Sequence, residues 1–245
     1  MEHKNLFDIH CHFPVDDNIS HTFIASGFSK DSNNKIMDEI LIFEQGYFTL
    51  GLAPQEIQRN ELYPNIDMAI EDIQKQIEEA FSNPSLAKKF VGIGEVGLDK
   101  HWGKTSEHRE RQFFAFEKMI SLANARTLPL IIHSRKAEKE CMQQLSAANC
   151  KKVLMHCFGG NLTQAKKAAD LGWLISIPPL PSKNRKKIIE KIPIENFVIE
   201  SDAPYIGKKS EDAFNSAKMI SEIKNIPVEE AIDATNENAR KFFNI

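Results

Sequence analysis

Four histidines and two carboxylates in this sequence have the types and spacing expected of metal ligands. They fall at five places along the chain, each at or just after the end of a short apolar run, and are His10, His12, Glu95, His133, His156 and Asp202. Neutral imidazole and carboxylate groups are the usual protein ligands of Zn, Mn, Fe and Co. One residue separates His10 from His12, so on a β-strand both rings face the same side and can bind one ion.

Six such ligands exceed one tetrahedral site, which indicates two metal ions about 3.5–4 Å apart with a bridging carboxylate. Glu95 is predicted to be that bridge. A water molecule held between two such ions loses a proton near neutral pH and becomes a nucleophile. Asp202 is predicted to orient this water, accept its proton and pass one to the leaving oxygen. Glu95 and Asp202 are therefore the predicted catalytic residues, and the expected cofactors are two divalent ions such as Zn, Mn or Mg.

Eight short apolar runs with strand character carry these residues. They are Leu6–Ile9, Thr22–Ser26, Tyr47–Leu52, Phe90–Gly94, Pro129–His133, Lys152–His156, Trp173–Ile177 and Phe197–Ser201. Helical patterns separate most of them, and this alternation predicts a parallel sheet with crossover helices. Eight units in 245 residues favour an α/β fold of the (β/α)8 TIM-like barrel type over an open doubly wound sheet. All strands of a barrel end at one face, where the five places would meet.

Capping residues and apolar spacing predict the helices between these runs. Asn65 is a candidate N-cap, another helix starts near Thr105, and Asn161 with Gln164 resembles a capping box of a helix that stops at Gly172. The remaining predicted helices are Ser32–Glu44, Arg135–Ala147, Ser182–Lys191 and Glu211–Ile223, followed by a short terminal pair.

The composition bounds the class of protein. Apolar residues make up 42% and charged residues 27%, which predicts a folded chain, here one domain over residues 1–245. With 31 basic and 34 acidic side chains the net charge is −3, which argues against a strongly basic, non-specific DNA binder but leaves room for a nuclease with a local basic rim.

The expected location is the cytoplasm. No run of about 18 apolar residues is present, and the charged start lacks an apolar signal core, so neither a membrane span nor export is expected. The four cysteines have no paired spacing and are expected to be free thiols in a reducing cytosol.

The motifs that hold these residues resemble those of the TatD-related metal-dependent hydrolases, often called TatD DNases, of the amidohydrolase superfamily. The family pattern is D-x-H-x-H, G-E-x-G-L-D, I-H-S-R, H-x-F and E-[ST]-D-x-P-Y. This chain has DIHCH at 8–12, GEVGLD at 94–99, IHSR at 132–135, HCF at 156–158 and ESDAPY at 200–205. The segment ATNENA at 234–239 is similar to the family's T-x-E-N-A.

The resemblance implies a TIM-like barrel, a two-metal site and hydrolysis of phosphodiester bonds, with 3′-to-5′ exonuclease activity on DNA. It implies that one ion is held by His10 and His12, completed by Asp202, and the other by His133 and His156, with Glu95 as the bridge. It also implies that Arg135 faces a substrate phosphate and that the protein is a monomer without a protein partner.

Two departures from the family pattern leave the substrate open. The family has G-x-H-P after its third strand, whereas this chain has GLAP at 51–54 and so lacks the histidine. The segment Ile206–Phe214 is short, with Lys208 and Lys209 as its basic residues. Both departures favour a second hypothesis, in which the same site hydrolyses a small amide, ester or phosphoester. The third hypothesis, a non-catalytic barrel that serves as a binding module, is opposed by the full ligand set.

Several residues near the predicted ligands have two interpretations. Asp8 either buttresses a histidine or a strand-end amide, or it caps the strand end. Asp99 and Trp102 either line the mouth of the barrel or pack within their loop. The cluster Lys183, Arg185, Lys186 and Lys187 is either a solvated helix face or a phosphate-binding rim.

Overall fold

A computed structural model of the chain describes residues 5–16, 18–59 and 61–245, so the charged start at residues 1–4 lies outside the described residues. Its eight strands form one parallel sheet in chain order. The strands are β1 (Phe7–Cys11), β2 (Thr22–Ser26), β3 (Gly46–Leu50), β4 (Phe90–Gly97), β5 (Leu130–His133), β6 (Val153–Met155), β7 (Leu174–Ile177) and β8 (Phe197–Ile199).

Helices connect the strands and cover the outside of the sheet. They are α1 (Lys30–Glu39), α2 (Pro54–Ile57), α3 (Ile66–Ser82), α4 (Pro84–Ala87), α5 (Ser106–Arg126), α6 (Glu138–Ala147), α7 (Leu162–Asp170), α8 (Lys183–Lys191), α9 (Ala213–Lys224) and α10 (Val228–Phe243), with 3-10 turns at Ile40–Ile42, Ile194–Asn196 and Ser210–Asp212. Within the described ranges, none of these helices has the length and apolar character needed to cross a membrane.

Hydrogen bonds between the ends of β1 and β8 join the two edges of the sheet. The N–H of Asp202 donates to the carbonyl of His10 at 2.9 Å, and the N–H of His12 donates to the carbonyl of Ala203 at 2.8 Å. The predicted (β/α)8 barrel is confirmed. All eight predicted strands are present, and the largest difference is in β4, which runs three residues past the predicted end because Val96 and Gly97 pair with β5.

The helix caps are confirmed, whereas three of the predicted helices differ from the structure. The helix predicted over Ser32–Glu44 is α1, which begins at Lys30 and ends at Glu39, before the 3-10 turn Ile40–Ile42. Asn65 and Thr105 cap α3 and α5, and Asn161 forms a capping box with α7. The helix predicted from Arg135 begins at Glu138, because Lys136 has a φ of 58° that no right-handed helix can hold. The predicted terminal pair is one helix, α10, since its sequence has no glycine or proline to break it.

Apolar side chains fill the barrel below the strand ends. The inner cluster takes residues from seven strands and from α10, namely Phe7, Ile9, Ile24, Val91, Ile131, Leu154, Leu174, Val198, Ala239 and Phe243. α10 therefore closes the barrel at the amino end of the strands. His133 and His156 each come two residues after a member of this cluster, Ile131 and Leu154. Because side chains alternate along a strand, both rings face the inside of the barrel, next to the apolar cluster.

Asp8 fastens β1 to the segment that follows β8. Its Oδ1 accepts the N–H of Ser201 at 2.8 Å, and its Oδ2 accepts the hydroxyls of Ser201 at 2.6 Å and Ser210 at 2.7 Å. His21 Nε2 lies 2.9 Å from the Ser210 oxygen. Burial raises the pKa of Asp8 to about 7, although these hydrogen bonds favour its charged form. The carboxylate is thus a buttress between the two strands that carry His10 and Asp202.

Replacing Asp8 by alanine is expected to lower the free energy of unfolding by about 3–5 kcal/mol, because four buried donors, including the N–H of His10 at 3.3 Å, lose their acceptor. Urea denaturation followed by circular dichroism measures this loss. Ser210→Ala removes one of the four donors and is the matched control, with an expected loss of about 1 kcal/mol. Equal losses in the two variants would show that Asp8 is not the common anchor.

Candidate metal centre

The two histidines of β1 enter the barrel together. The pairing of β1 with β2 shifts register between Asp8 and Cys11, which turns His10 to the inside after Ile9. The Nε2 atoms of His10 and His12 are 3.2 Å apart, and both side chains are buried. The expectation that these two rings share one face is therefore met.

The Glu95 carboxylate lies between two pairs of histidines. Its Oε2 is 3.7 Å from the Nε2 atoms of both His10 and His12, and its Oε1 is 2.5 Å from Nδ1 of His133. The His156 ring stacks on His10 with centroids 3.6 Å apart. Glu95 thus faces the β1 histidines with one oxygen and the β5 histidine with the other.

Asp202 completes the cluster from the β8 side. Its Oδ1 is 3.5 Å from Nε2 of His12 and 3.9 Å from Nε2 of His10. Ligand-capable atoms of His10, His12 and Asp202 lie within 4.8 Å of one another, and the same holds for Glu95, His133 and His156. The structure therefore brings all six predicted ligands together, as two adjacent groups of three.

A glycine lets β4 and β5 approach closely enough to place Glu95 beside His133. Gly97 has a φ of 142°, and a Cβ at this position would lie 2.0 Å from the carbonyl oxygen of His133. A side chain here would push the two strands apart. The second glycine of the GEVGLD segment is thus a packing requirement of the site.

Hydrogen bonds between Ser26 and the Nδ1 atoms of His10 and His12 orient these two rings. Nδ1 of His12 lies 2.9 Å from the carbonyl oxygen of Ser26, and Nδ1 of His10 lies 2.9 Å from the hydroxyl of the same residue. A carbonyl oxygen only accepts, so His12 carries a proton on Nδ1 and turns Nε2 towards the cluster. The sequence analysis did not identify Ser26, which no motif singles out.

Two carboxylates hold the other two histidines in the same way. Asp99 Oδ2 is 2.8 Å from Nε2 of His133, and Glu200 Oε2 is 2.8 Å from Nδ1 of His156. Of the two interpretations of Asp99, the structure supports a place at the site. The role of Glu200 was not predicted from the sequence, although its place in the ESDAPY segment, two residues before Asp202, is a signal.

The donor set fits divalent metal ions. With Nδ1 of His12 donating to a carbonyl oxygen, Nε2 is the ring atom that can accept or bind an ion, and the ionised carboxylates of Glu95 and Asp202 are acceptors as well. These acceptor atoms lie close together with no proton between them, so their lone pairs and negative charges repel one another. A cation bound between them would remove that repulsion. Imidazole with carboxylate suits Zn, Mn and similar ions.

The buried charges differ among the histidines. Burial and the charge of His156 lower the pKa of His10 to about 4. Burial also acts against protonation of His133 and His156, but the carboxylates of Glu95 and Asp99 raise the pKa of His133 to about 9, and those of Glu200 and Asp202 raise that of His156 to about 10. Without metal, His133 and His156 are thus cationic at pH 7, each beside a carboxylate.

Metal binding at pH 7 is therefore expected to release about two protons, since His133 and His156 must each give up one to bind an ion. Protons compete below the raised pKa values, so the affinity for Zn²⁺ should increase from pH 7 to pH 9, by about tenfold per pH unit for each displaced proton. Calorimetric titration of EDTA-stripped protein in buffers of different ionisation enthalpy measures this release. Glu200→Gln should reduce it to about one proton, and an affinity that does not change with pH would contradict the expectation.

Arg135 lies outside the ligand cluster. It is exposed on the loop after β5, where its carbonyl accepts the N–H of Lys100 at 3.1 Å. Its predicted contact with a substrate phosphate stays a prediction.

The basic cluster of α8 divides into two parts. Lys183, Lys186 and Lys187 are exposed, but Arg185 is buried, and its guanidinium donates to the carbonyls of Leu180 and Phe158. Arg185 is therefore a structural residue and is not available for a phosphate rim.

A cavity of about 280 Å³ adjoins His12, between the loop after β1 and the loop after β8. Pro14, Val15 and Pro204 form apolar walls, and Lys208 and Lys209 lie at its edge. The ring of Tyr205 is 5.1 Å from that of His12 and is 68% exposed. His12 is thus the candidate ligand that borders this cavity, at the carboxyl end of the barrel.

A (β/α)8 barrel with histidines and carboxylates converging at its carboxyl face is an arrangement typical of metal-dependent hydrolases. The model of the TatD related DNase family matches residues 7–244, and the chain belongs to this family.

Relatives agree with the family. The metal-dependent hydrolase YabD of Bacillus subtilis (strain 168) is 30% identical over 236 residues, covering 91% of this chain and 87% of YabD. The human deoxyribonuclease TATDN3 is 31% identical over 203 residues, covering 79% of this chain and 70% of the relative. The crystal structure of YJJV, a TatD homologue from Escherichia coli K12, superposes with a TM-score of 0.83 at 23% identity and covers 98% of both chains, which shows a shared fold.

Proposed function

We propose that this chain is a two-metal phosphodiesterase that shortens DNA strands from the 3′ end. The observation that carries the proposal is the position of Glu95, with one oxygen 3.7 Å from two histidines and the other 2.5 Å from a third. Two-metal sites joined by a carboxylate are suited to in-line displacement at phosphorus. The human relative named a deoxyribonuclease supports DNA as the substrate.

His10, His12 and Asp202 would hold one ion and His133 with His156 the other, and Glu95 would contact both. When bound, the ions supply Lewis-acid activation of the scissile phosphate and of the attacking water. Asp202 is charged at neutral pH, because the charge of His156 keeps its pKa below the ordinary range although burial raises it. Asp202 would accept the proton of the water and return a proton to the leaving oxygen.

Other groups prepare the site. Asp99 and Glu200 keep the rings of His133 and His156 fixed, so no reorientation is needed during the reaction. Arg135 would bind a phosphate of the substrate strand. The proposal also includes one domain over residues 1–245, a monomer, and a cytoplasmic location, which suits the four free thiols.

Single-stranded DNA labelled at either end tests the reaction. With Mg²⁺ or Mn²⁺, 5′-labelled strands should shorten step by step, whereas 3′-labelled strands should release the label at once as a mononucleotide. Metal analysis of untagged protein should find up to two ions per chain. Bound metal with intact DNA would refute the nuclease and retain the hydrolase.

Hydrolysis of a small ester, amide or phosphoester is the second candidate. The position where the family pattern has a histidine holds Ala53, which is buried and adds only a methyl group. A panel of small esters, amides and phosphoesters, assayed with the same protein, separates this candidate from the nuclease.

A further inference from the structure

The loop between β4 and α5 presents an exposed indole on a rigid backbone. Trp102 is 51% exposed. Oδ1 of Asp99 accepts the N–H of His101 at 2.7 Å and that of Trp102 at 2.9 Å, and the Trp102 carbonyl accepts the N–H of Lys104 at 2.8 Å. Gln112 holds Asp99 in turn, through a side-chain oxygen 2.9 Å from the Asp99 nitrogen. The backbone that carries the indole is therefore held in place, while about half of the residue's surface is exposed.

The same carboxylate connects this loop to the metal centre. While Oδ1 of Asp99 holds the Trp102 amide, Oδ2 lies 2.8 Å from His133. One side chain thus positions both a candidate ligand and the exposed ring. The indole stands at the carboxyl face of the barrel, where the site opens.

Three cations lie near the His101–Trp102 pair. The neighbouring loop after β5 contributes Arg135 and Lys136, and Lys104 lies on the Trp102 loop itself. Partial desolvation and the positive charges of Arg135, Lys104 and Lys136 lower the pKa of His101, whose ring is 5.1 Å from that of Trp102. None of the three cations has a carboxylate within ion-pair distance among the described residues 5–16, 18–59 and 61–245. The chain as a whole is negative, so this is a local basic surface.

We propose that Trp102, Lys104, Arg135 and Lys136 form a strand-binding rim, on which an unpaired nucleotide next to the scissile bond stacks its base against Trp102. The inference rests on the proposed function and adds the element that grips the substrate strand. An indole face suits any base, and a base within a single strand has its own face free to stack on it. The free cations match the phosphates on either side of that base.

Fluorescence tests the contact directly, because the chain has two tryptophans in different environments. Trp173 is 1% exposed, and its indole N–H donates to the Cys150 carbonyl at 3.1 Å, so it should not respond to ligands. A pentathymidine strand added to the full chain in EDTA, where no cleavage occurs, should quench the Trp102 signal. Unchanged fluorescence at saturation would overturn the proposal.

A double-mutant cycle identifies the partner of the indole. Affinity is measured by the anisotropy of fluorescein-labelled pentamers, either complete or lacking one base at each position in turn. Trp102→Ala should weaken binding of the complete strand by about 5- to 100-fold. It should have less than about twofold effect on the strand that lacks the stacked base, while Trp102→Phe restores most of the affinity.

Phe81→Ala is the matched control. Phe81 is also an exposed aromatic residue with an arginine, Arg126, beside its ring, but it lies at the opposite end of the barrel. It should leave the affinity unchanged. The proposal would be overturned if Trp102→Ala weakened the binding of every abasic strand equally. It would also be overturned if Tyr205→Ala, and not Trp102→Ala, lost its effect on one abasic strand. Cleavage by the metal-loaded chain is assayed separately. A strand that binds at Trp102 but is never cut refutes the nuclease alone. A strand that is cut although Trp102→Ala shows no coupling to any base refutes the strand-binding rim alone.

Discussion

Replacement of Glu95 by glutamine is expected to lower kcat for strand cleavage by at least about 10³-fold. Glutamine keeps the size of the side chain but replaces one charged oxygen by an NH₂ group, and both oxygens of Glu95 face histidine nitrogens. The variant should also bind fewer ions, because the shared anionic ligand is lost. Release of mononucleotides from labelled single-stranded DNA and metal analysis of the same preparation measure the two effects.

Glu140→Gln is the matched control for this experiment. Glu140 is a carboxylate on α6 that pairs with Lys100 at 2.5 Å and lies outside the ligand groups. Its replacement should leave kcat within about twofold of the native value, since a partly exposed ion pair contributes little. A Glu95→Gln protein that keeps native kcat and metal content would disprove the shared role of this carboxylate.

Replacement of Asp202 by asparagine should lower kcat by about 10²- to 10⁴-fold, the usual contribution of a general base. Asparagine retains an oxygen towards His10 and His12 but cannot take up a proton. In the native protein the carboxylate stays charged through the neutral range and so can act as the base at any pH in that range. In the variant no side chain replaces this base, so the remaining activity should increase with hydroxide concentration. The rate against pH, compared with that of the native protein, gives this result.

The metal content separates two explanations of the Asp202→Asn result. His133 and His156 do not contact Asp202 within hydrogen-bond distance, so an ion held by these residues and Glu95 should remain. Loss of activity with that ion still present supports proton transfer by Asp202. A loss of all metal would show instead that Asp202 is needed to assemble the site, and native activity would refute both roles.

The sequence by itself determined the fold and the candidate ligands. Strand runs such as Thr22–Ser26 have a local apolar pattern, and the structure retains both of its predicted ends. The caps at Asn65 and Thr105 depend on a side chain and a backbone N–H three residues away, so they too are local. Because all strands of a barrel open at one face, residues at strand ends, among them His133 and His156, are brought together by the topology alone.

Only the tertiary structure decided what holds those ligands. Asp99 and His133 are 34 residues apart, and Glu200 and His156 are 44 apart, so no pattern of spacing could pair them. The sequence could not decide whether Trp102 is exposed or packed within its loop, because the packing of a ring depends on elements distant in sequence. Periodicity along a strand is a property of neighbouring residues, whereas orientation, burial and pKa depend on which distant groups the closed barrel brings into contact.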